Sequence, residues 1–309
     1  MNMLKRMLAL LVLAGGALLA VSGGAQAEDY LKPFVLASKG TGDFAAKVTA
    51  TKSALTGAGF EILGEYSPYS NTFVDNAEVI IVTNNELKSV AMKTKFGGFA
   101  APWRVAVTQV GGEVQVAFAN PLYLANAYRL DGDLAGVSEA LKGALGYQEE
   151  FGSERGLSAR KLRKYHYTFG MEYFDDPYKL AKYDDHQAAI DTLEKNLAAG
   201  VAGVTKVYRF DLSNDVTIFG VARKAPSEAE IDMDEHHIMQ EVDFAELKGT
   251  AYLPYEIMVD GNDVYAQHMR FRMAVHYPDL KMMGQHSFMN LMASPNAIEK
   301  ALAAAAGGK

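Results

Sequence analysis

At 309 residues, with 49% of them apolar, the chain is long enough to bury one large core or two modest ones. It contains no cysteine, which excludes disulfide scaffolds, thiolate metal sites and cysteine nucleophiles. A formal net charge of -7 argues against a nucleic-acid partner.

Lys5 and Arg6 precede an apolar run from Met7 to about Val21, and Ala25-Gln26-Ala27 is a small-residue cleavage site. This is the pattern of a secretory signal peptide over residues 1–27. The run is short for a bilayer span, and no cysteine follows it to carry a lipid. The expected product is a soluble periplasmic or secreted protein beginning at Glu28, with no stable membrane anchor.

Lys32 to Ser38 reads as a strand, and Asp43 opens a helix with Phe44, Val48, Thr51 and Leu55 on one face. Residues 60–66 and 78–83 read as strands, and Asn84 or Asn85 caps a second helix. Trp103, Val105 and Val107, then Gly111-Gly112, then Val114, Val116 and Phe118 spell a hairpin with Val107 facing Val116 and Val105 facing Phe118. A helix carrying Leu134, Val137, Leu141 and Leu145 ends this half at Gly146. Residues 147–164 form a charged run and read as a linker.

The second half, 165–309, repeats the plan. Tyr165, Tyr167, Phe169, Met171 and Tyr173 alternate as in a half-buried strand, and Asp184-Asp185 caps a helix carrying Ile190, Leu193 and Leu197. Strands over 204–212 and 216–222 precede an acidic insertion at 226–248. A second hairpin then runs from Tyr255 through Gly261-Asn262-Asp263 to Val275, and Ser294-Pro295 starts the last helix. Pro102-Trp103 corresponds to Pro254-Tyr255. The fold class expected is α+β: two tandem repeats of a β-α-β-β-α-β-β-α unit, with antiparallel-rich sheets and helices packed on one face.

Lys47 to Leu63, Val79 to Leu87, and Ala101-Pro102-Trp103-Arg104-Val105 through Ala119-Asn120-Pro121 carry a family resemblance. They resemble the bacterial domain-of-unknown-function 302 family over most of residues 35–125. That family shows a Gly-Phe-x-Val/Ile-Leu strand, an Asn-Pro-x-Leu-Ala helix start and a Leu-Pro-Cys-x-Val hairpin. Here Asn85 stands where the family often has proline, and Trp103 where it often has cysteine. The resemblance implies a compact α+β domain and no particular activity. The second half resembles the family through the duplication alone.

No Gly-x-Ser-x-Gly, P-loop, Gly-x-Gly-x-x-Gly or His-Glu-x-x-His signature is present, so the sequence does not indicate an enzyme. All histidines lie between His166 and His286, accompanied by methionines. Thioether and imidazole donors suit copper, which makes His236, His237, Met239, Met282, His286 and Met289 candidate ligands. Met269, Phe271, Met273 and Val275 read as the apolar face of a strand, leaving His268, Arg270, Arg272 and His276 opposite as candidate anion-binding residues. The leading expectation is an exported module for an unknown small ligand or protein partner, and the alternative is a periplasmic copper-binding protein. A homo-oligomer is compatible with either.

Overall fold

The computed structural model describes residues 30–308, so the expected signal peptide lies outside the described residues. In chain order, the first half contains β1 (Tyr30–Leu31), β2 (Phe34–Thr41), α1 (Phe44–Gly57), β3 (Glu61–Tyr66), β4 (Asn76–Thr83), α2 (Asn85–Ala91), β5 (Trp103–Val110), β6 (Glu113–Ala119), α3 (Pro121–Ala127) and α4 (Ala135–Leu145). Next come β7 (Glu149–Phe151), β8 (Leu157–Ser158) and α5 (Ala159–Leu162). The second half contains β9 (Tyr178–Lys182), α6 (His186–Ala198), β10 (Val204–Asp211), β11 (Val216–Arg223), α7 (Glu235–Val242), β12 (Tyr255–Asp260), β13 (Asp263–Ala266), α8 (Met269–His276) and α9 (Ser294–Ala305).

The fold is mixed α+β with antiparallel sheets. One sheet has the order β3-β4-β5-β6-β2-β7, the other β10-β11-β12-β13-β9, and β1 pairs with β8. Local sequence accounts for the key elements. Asp43 and Asp185 cap α1 and α6 by accepting from Ala46 N at 2.7 Å and Ala188 N at 2.8 Å. Gly111 and Gly112 both have positive φ, 57° and 83°, as the tight turn between β5 and β6 requires. That turn sets the register, placing Val107 opposite Val116 and Val105 opposite Phe118, all buried.

Helix α1 packs on β3 to β6, and α6 on β10, β12 and β13. The other face of each sheet meets the opposite half. A 3-10 turn at Gly97–Ala100 lies against β11 and β12, and a 3-10 turn at Thr250–Tyr252 lies against β4, β5 and β6. Edge strands β3 and β10 also touch. A Cβ built on Gly64 would come 2.8 Å from the Tyr208 Cβ, so only glycine permits this approach.

Two expectations need correction. Tyr165 to Tyr173 is not a strand. Gly170 turns there with φ of 80°, Phe169 is 99% exposed, and Tyr165 and Tyr167 are fastened singly through hydroxyl bonds to Ala274 O and Leu280 O. The opening strand is β9 instead. The second hairpin stops at Ala266, and residues 269–276 are helix α8, capped by His268, whose Nδ1 accepts from Arg270 N at 3.3 Å. Met269, Phe271, Met273 and Val275 alternate, but the helix is buried on nearly every side, where period-two spacing no longer distinguishes helix from strand.

The charged stretch 147–164 is fastened to the first half rather than free, because β7 adds to β2 and β8 pairs with β1. The acidic insertion folds into a 3-10 turn at Glu228–Met233 followed by α7, burying Met233, Ile238, Met239 and Val242.

Candidate functional site

Two features lie between the halves. The first is a buried ionic junction. Arg104 is the second residue of β5, with Ile81 beside it on β4 and Gly64 beyond on β3. Glu256 is the second residue of β12, with Gly220 beside it on β11 and Tyr208 beyond on β10. The Tyr208 ring covers Gly220 so closely that a Cβ there would sit 1.9 Å from it. Arg104 Nη1 lies 3.1 Å from Glu256 Oε1, and Arg104 Nε donates to Ala251 O at 3.1 Å.

Glu256 Oε2 faces Arg272 Nη2 at 3.3 Å. Arg272 also donates to the carbonyls of Tyr252 and Pro254, and its guanidinium lies 4.3 Å and 4.4 Å from the ring centroids of Tyr252 and Tyr255. His276 Nδ1 donates to Arg272 O at 2.8 Å, leaving Nε2 toward Arg104 at 3.5 Å. Burial, followed by the Arg104 and Arg272 charges, holds the His276 pKa well below its ordinary value.

Arg272 is therefore spent on Glu256 and the carbonyls of its own half, His276 sits beside Arg104 of the other half, and neither forms a surface for an anion. They are fully buried because α8 inserts at the junction. His268 and Arg270 stand apart from them, at the start of α8. His268 Nε2 is 3.4 Å from Glu172 Oε1, Arg270 pairs with the same carboxylate, and burial pushes the His268 pKa down to about 4. His268 lines an open cleft of about 550 Å³ together with Glu172, Asp176, Tyr178, Lys95 and Phe96.

The second feature is a cleft of about 580 Å³ between the β2–β7 corner and residues 242–249 and 277–281. Its apolar wall includes Phe34, Phe151, Phe244, Leu247, Tyr277 and Leu280. Asp243, nearly fully buried, also lines it. Oδ1 accepts from Gly249 N at 2.7 Å, whereas Oδ2 has no hydrogen-bond partner. Burial raises the Asp243 pKa to about 7, against the opposing effects of the Gly249 bond and the Lys248 charge. Glu235, at the first turn of α7, is likewise raised by burial to about 8, although Arg223 is close by.

The six candidate copper ligands occupy different settings. Met239 is fully buried, with its sulfur 3.9 Å from Tyr277 Oη, because α7 turns that face into the core. The His236 ring packs against Phe73 and Tyr69 at 5.8 Å and 6.0 Å, and His237 is half-buried on α7. Met282 and Met289 are exposed on a loop joined by a bond from Met289 N to Met282 O at 3.1 Å. On that loop His286 stacks on Phe244 at 4.5 Å, with Nδ1 3.8 Å from Glu241 Oε2. Among the described residues, no group of three or more His, Asp or Glu side chains is placed to hold a metal ion.

Asp243 and Glu235 were missed from the sequence, though one signal was available. Glu235, Ile238, Met239 and Val242 follow the i, i+3, i+4, i+7 spacing of a buried helical face, with an acid in one apolar slot.

No family model matches the chain, and no curated protein matches it. Among solved structures it is similar to the crystal structure of an uncharacterized conserved protein, DUF302, from Bacillus stearothermophilus. Identity is 17%, the match covers 36% of this chain and 93% of that chain, and the TM-score is 0.31. The chain resembles the domain-of-unknown-function 302 family. Among the described residues, no helix is long and apolar enough to cross a membrane.

Proposed function

We propose that the chain is an exported ligand-binding protein made of two fused copies of one α+β unit, with its ligand in the cleft lined by Phe34, Phe151 and Asp243. The observation that carries the ligand reading is the cleft itself. A concavity of about 580 Å³ with apolar walls and a buried carboxylate of raised pKa has the features expected of a small-molecule site.

Three correspondences support the duplicated unit. The paths β3-β4-β5-β6-β2 and β10-β11-β12-β13-β9 take the same course. Trp103 Nε1 donates to Ala119 O at 2.7 Å across the first hairpin, and Tyr255 Oη donates to Gln267 O across the second. Asn120 and His268, the next residues, each cap the following helix by accepting from the N–H two positions on. The halves also meet like against like, Gly64 at Tyr208 and Arg104 at Glu256, as about a two-fold axis.

Native mass spectrometry of the exported protein is expected to show a retained small molecule, absent from the Ala245→Trp variant, whose indole obstructs the cleft from its exposed rim. A wild type that carries nothing, and whose melting temperature no member of a metabolite panel raises, would sink this reading. Intact-mass measurement of the same material is expected to give a chain starting at Glu28. Retention of residues 1–27 would overturn the export assignment.

The copper alternative narrows to Met282, His286 and Met289, which share one partly exposed loop. A calorimetric titration with reduced copper tests it, and absence of heat rejects it.

A further inference from the structure

We propose that the cleft selects an organic cation, an amine or quaternary ammonium carried on an apolar body. This rests on the reading of the cleft as the binding site and adds the chemical class of its occupant. Aromatic faces are the first part of the case. Phe34 stacks on Phe151 with centroids 5.4 Å apart and lies 6.0 Å from Tyr277, so one wall is a continuous run of rings. These three rings are buried and back the wall, while Phe244, 54% exposed, is its most open ring; together they offer an alkyl or aryl body dispersion contact and a cation a π-rich surrounding.

Charge is the second part. Glu149, Glu150, Glu154, Asp243, Glu246 and Asp279 line the cleft against two lysines, Lys32 and Lys281. Some of these acids are already engaged. Glu246 pairs with Lys39, Glu150 accepts from Lys32 N at 2.9 Å, and Asp279 accepts from Ser153 Oγ and Glu154 N. Asp243 keeps Oδ2 without a hydrogen bond at a buried position, with the Lys248 ammonium close by on the backbone carbonyl of Asp243 at 2.9 Å. An anion entering here meets an excess of carboxylates. A neutral apolar molecule gains the wall alone, whereas a cation also gains the attraction of the carboxylates around it.

The test uses the full mature chain and three probes that share a phenylethyl body: phenethylammonium, 2-phenylethanol and 3-phenylpropionate. By calorimetry the cation is expected to bind about tenfold more tightly than the alcohol, with no heat from the carboxylate. Asp243→Asn is expected to bring the affinities of the cation and the alcohol to within about twofold of each other. Should that variant fail to fold, the double variant Glu149→Gln with Glu154→Gln, on the exposed rim, is expected to weaken the cation about threefold by reducing the local negative potential. Equal binding of cation and alcohol, or tighter binding of the carboxylate, would overturn the ligand class and leave the cleft as a binding site. No binding of any probe, with Ala245→Trp also leaving metabolite retention unchanged, would overturn both.

Discussion

Replacing Glu256 by leucine is expected to lower the stability of the protein by about 3–5 kcal/mol, because it leaves two buried guanidiniums without their shared carboxylate. Arg104 would keep the Ala251 carbonyl, and Arg272 the carbonyls of Tyr252 and Pro254, but neither would retain an anionic partner at the junction. Urea unfolding measures the loss. The double variant Glu256→Leu with Arg104→Leu is expected to be more stable than Glu256→Leu alone, since one stranded charge is removed with its partner. A loss below about 1 kcal/mol for the single variant would show that this ion pair is not buried between the halves.

Stability is expected to fall as pH rises from about 5 to 8.5, and Glu235→Gln is expected to remove most of that fall. Burial raises the Glu235 pKa from 4.5 to about 8, so the folded state favours the neutral acid more strongly than the unfolded chain does. The sign follows from that preference. Below about 4.5 both states are protonated and no penalty exists; the penalty grows between 4.5 and about 8 and is complete above. Over that range it amounts to something on the order of 4 kcal/mol. Asp243, raised from 3.8 to about 7, acts in the same direction over a lower window. Denaturant melts of wild type and variant at pH 5 and pH 8.5 make the comparison. Equal slopes in the two proteins would mean that Glu235 ionises freely in the fold.

The first half was the more legible because its signals were local. Gly111-Gly112 sets a register, Asp43 and Asn84 cap helices, and strict alternation in β5 and β6 identifies a ribbon. The second half misled where burial was complete. Helix α8 is buried on nearly every side, Arg272 and His276 included, so the alternation of its apolar residues resembled a strand. The cleft was illegible for a different reason. Phe34, Phe151, Asp243 and Tyr277 are scattered over the length of the chain, and only the packing of one half on the other brings them together.

On the duplicated-unit reading, the contact of Arg104 with Glu256 has an implication for how the two clefts evolved. Two separate copies of a single chain must carry the same residue on both sides of their axis, so a basic residue there would face another basic residue. Covalent joining lifts that constraint, and each copy can then change without its mirror image changing too. The clefts carry this freedom further. Phe34 on β2 and Leu247 just before the Thr250–Tyr252 turn line one, while Tyr178 on β9 and Phe96 just before the Gly97–Ala100 turn line the other. The first became a ring-lined chamber holding Asp243; the second became an open, acid-rimmed trough beside His268. A pair of sites that symmetry once made identical can in this way come to distinguish different molecules within one polypeptide.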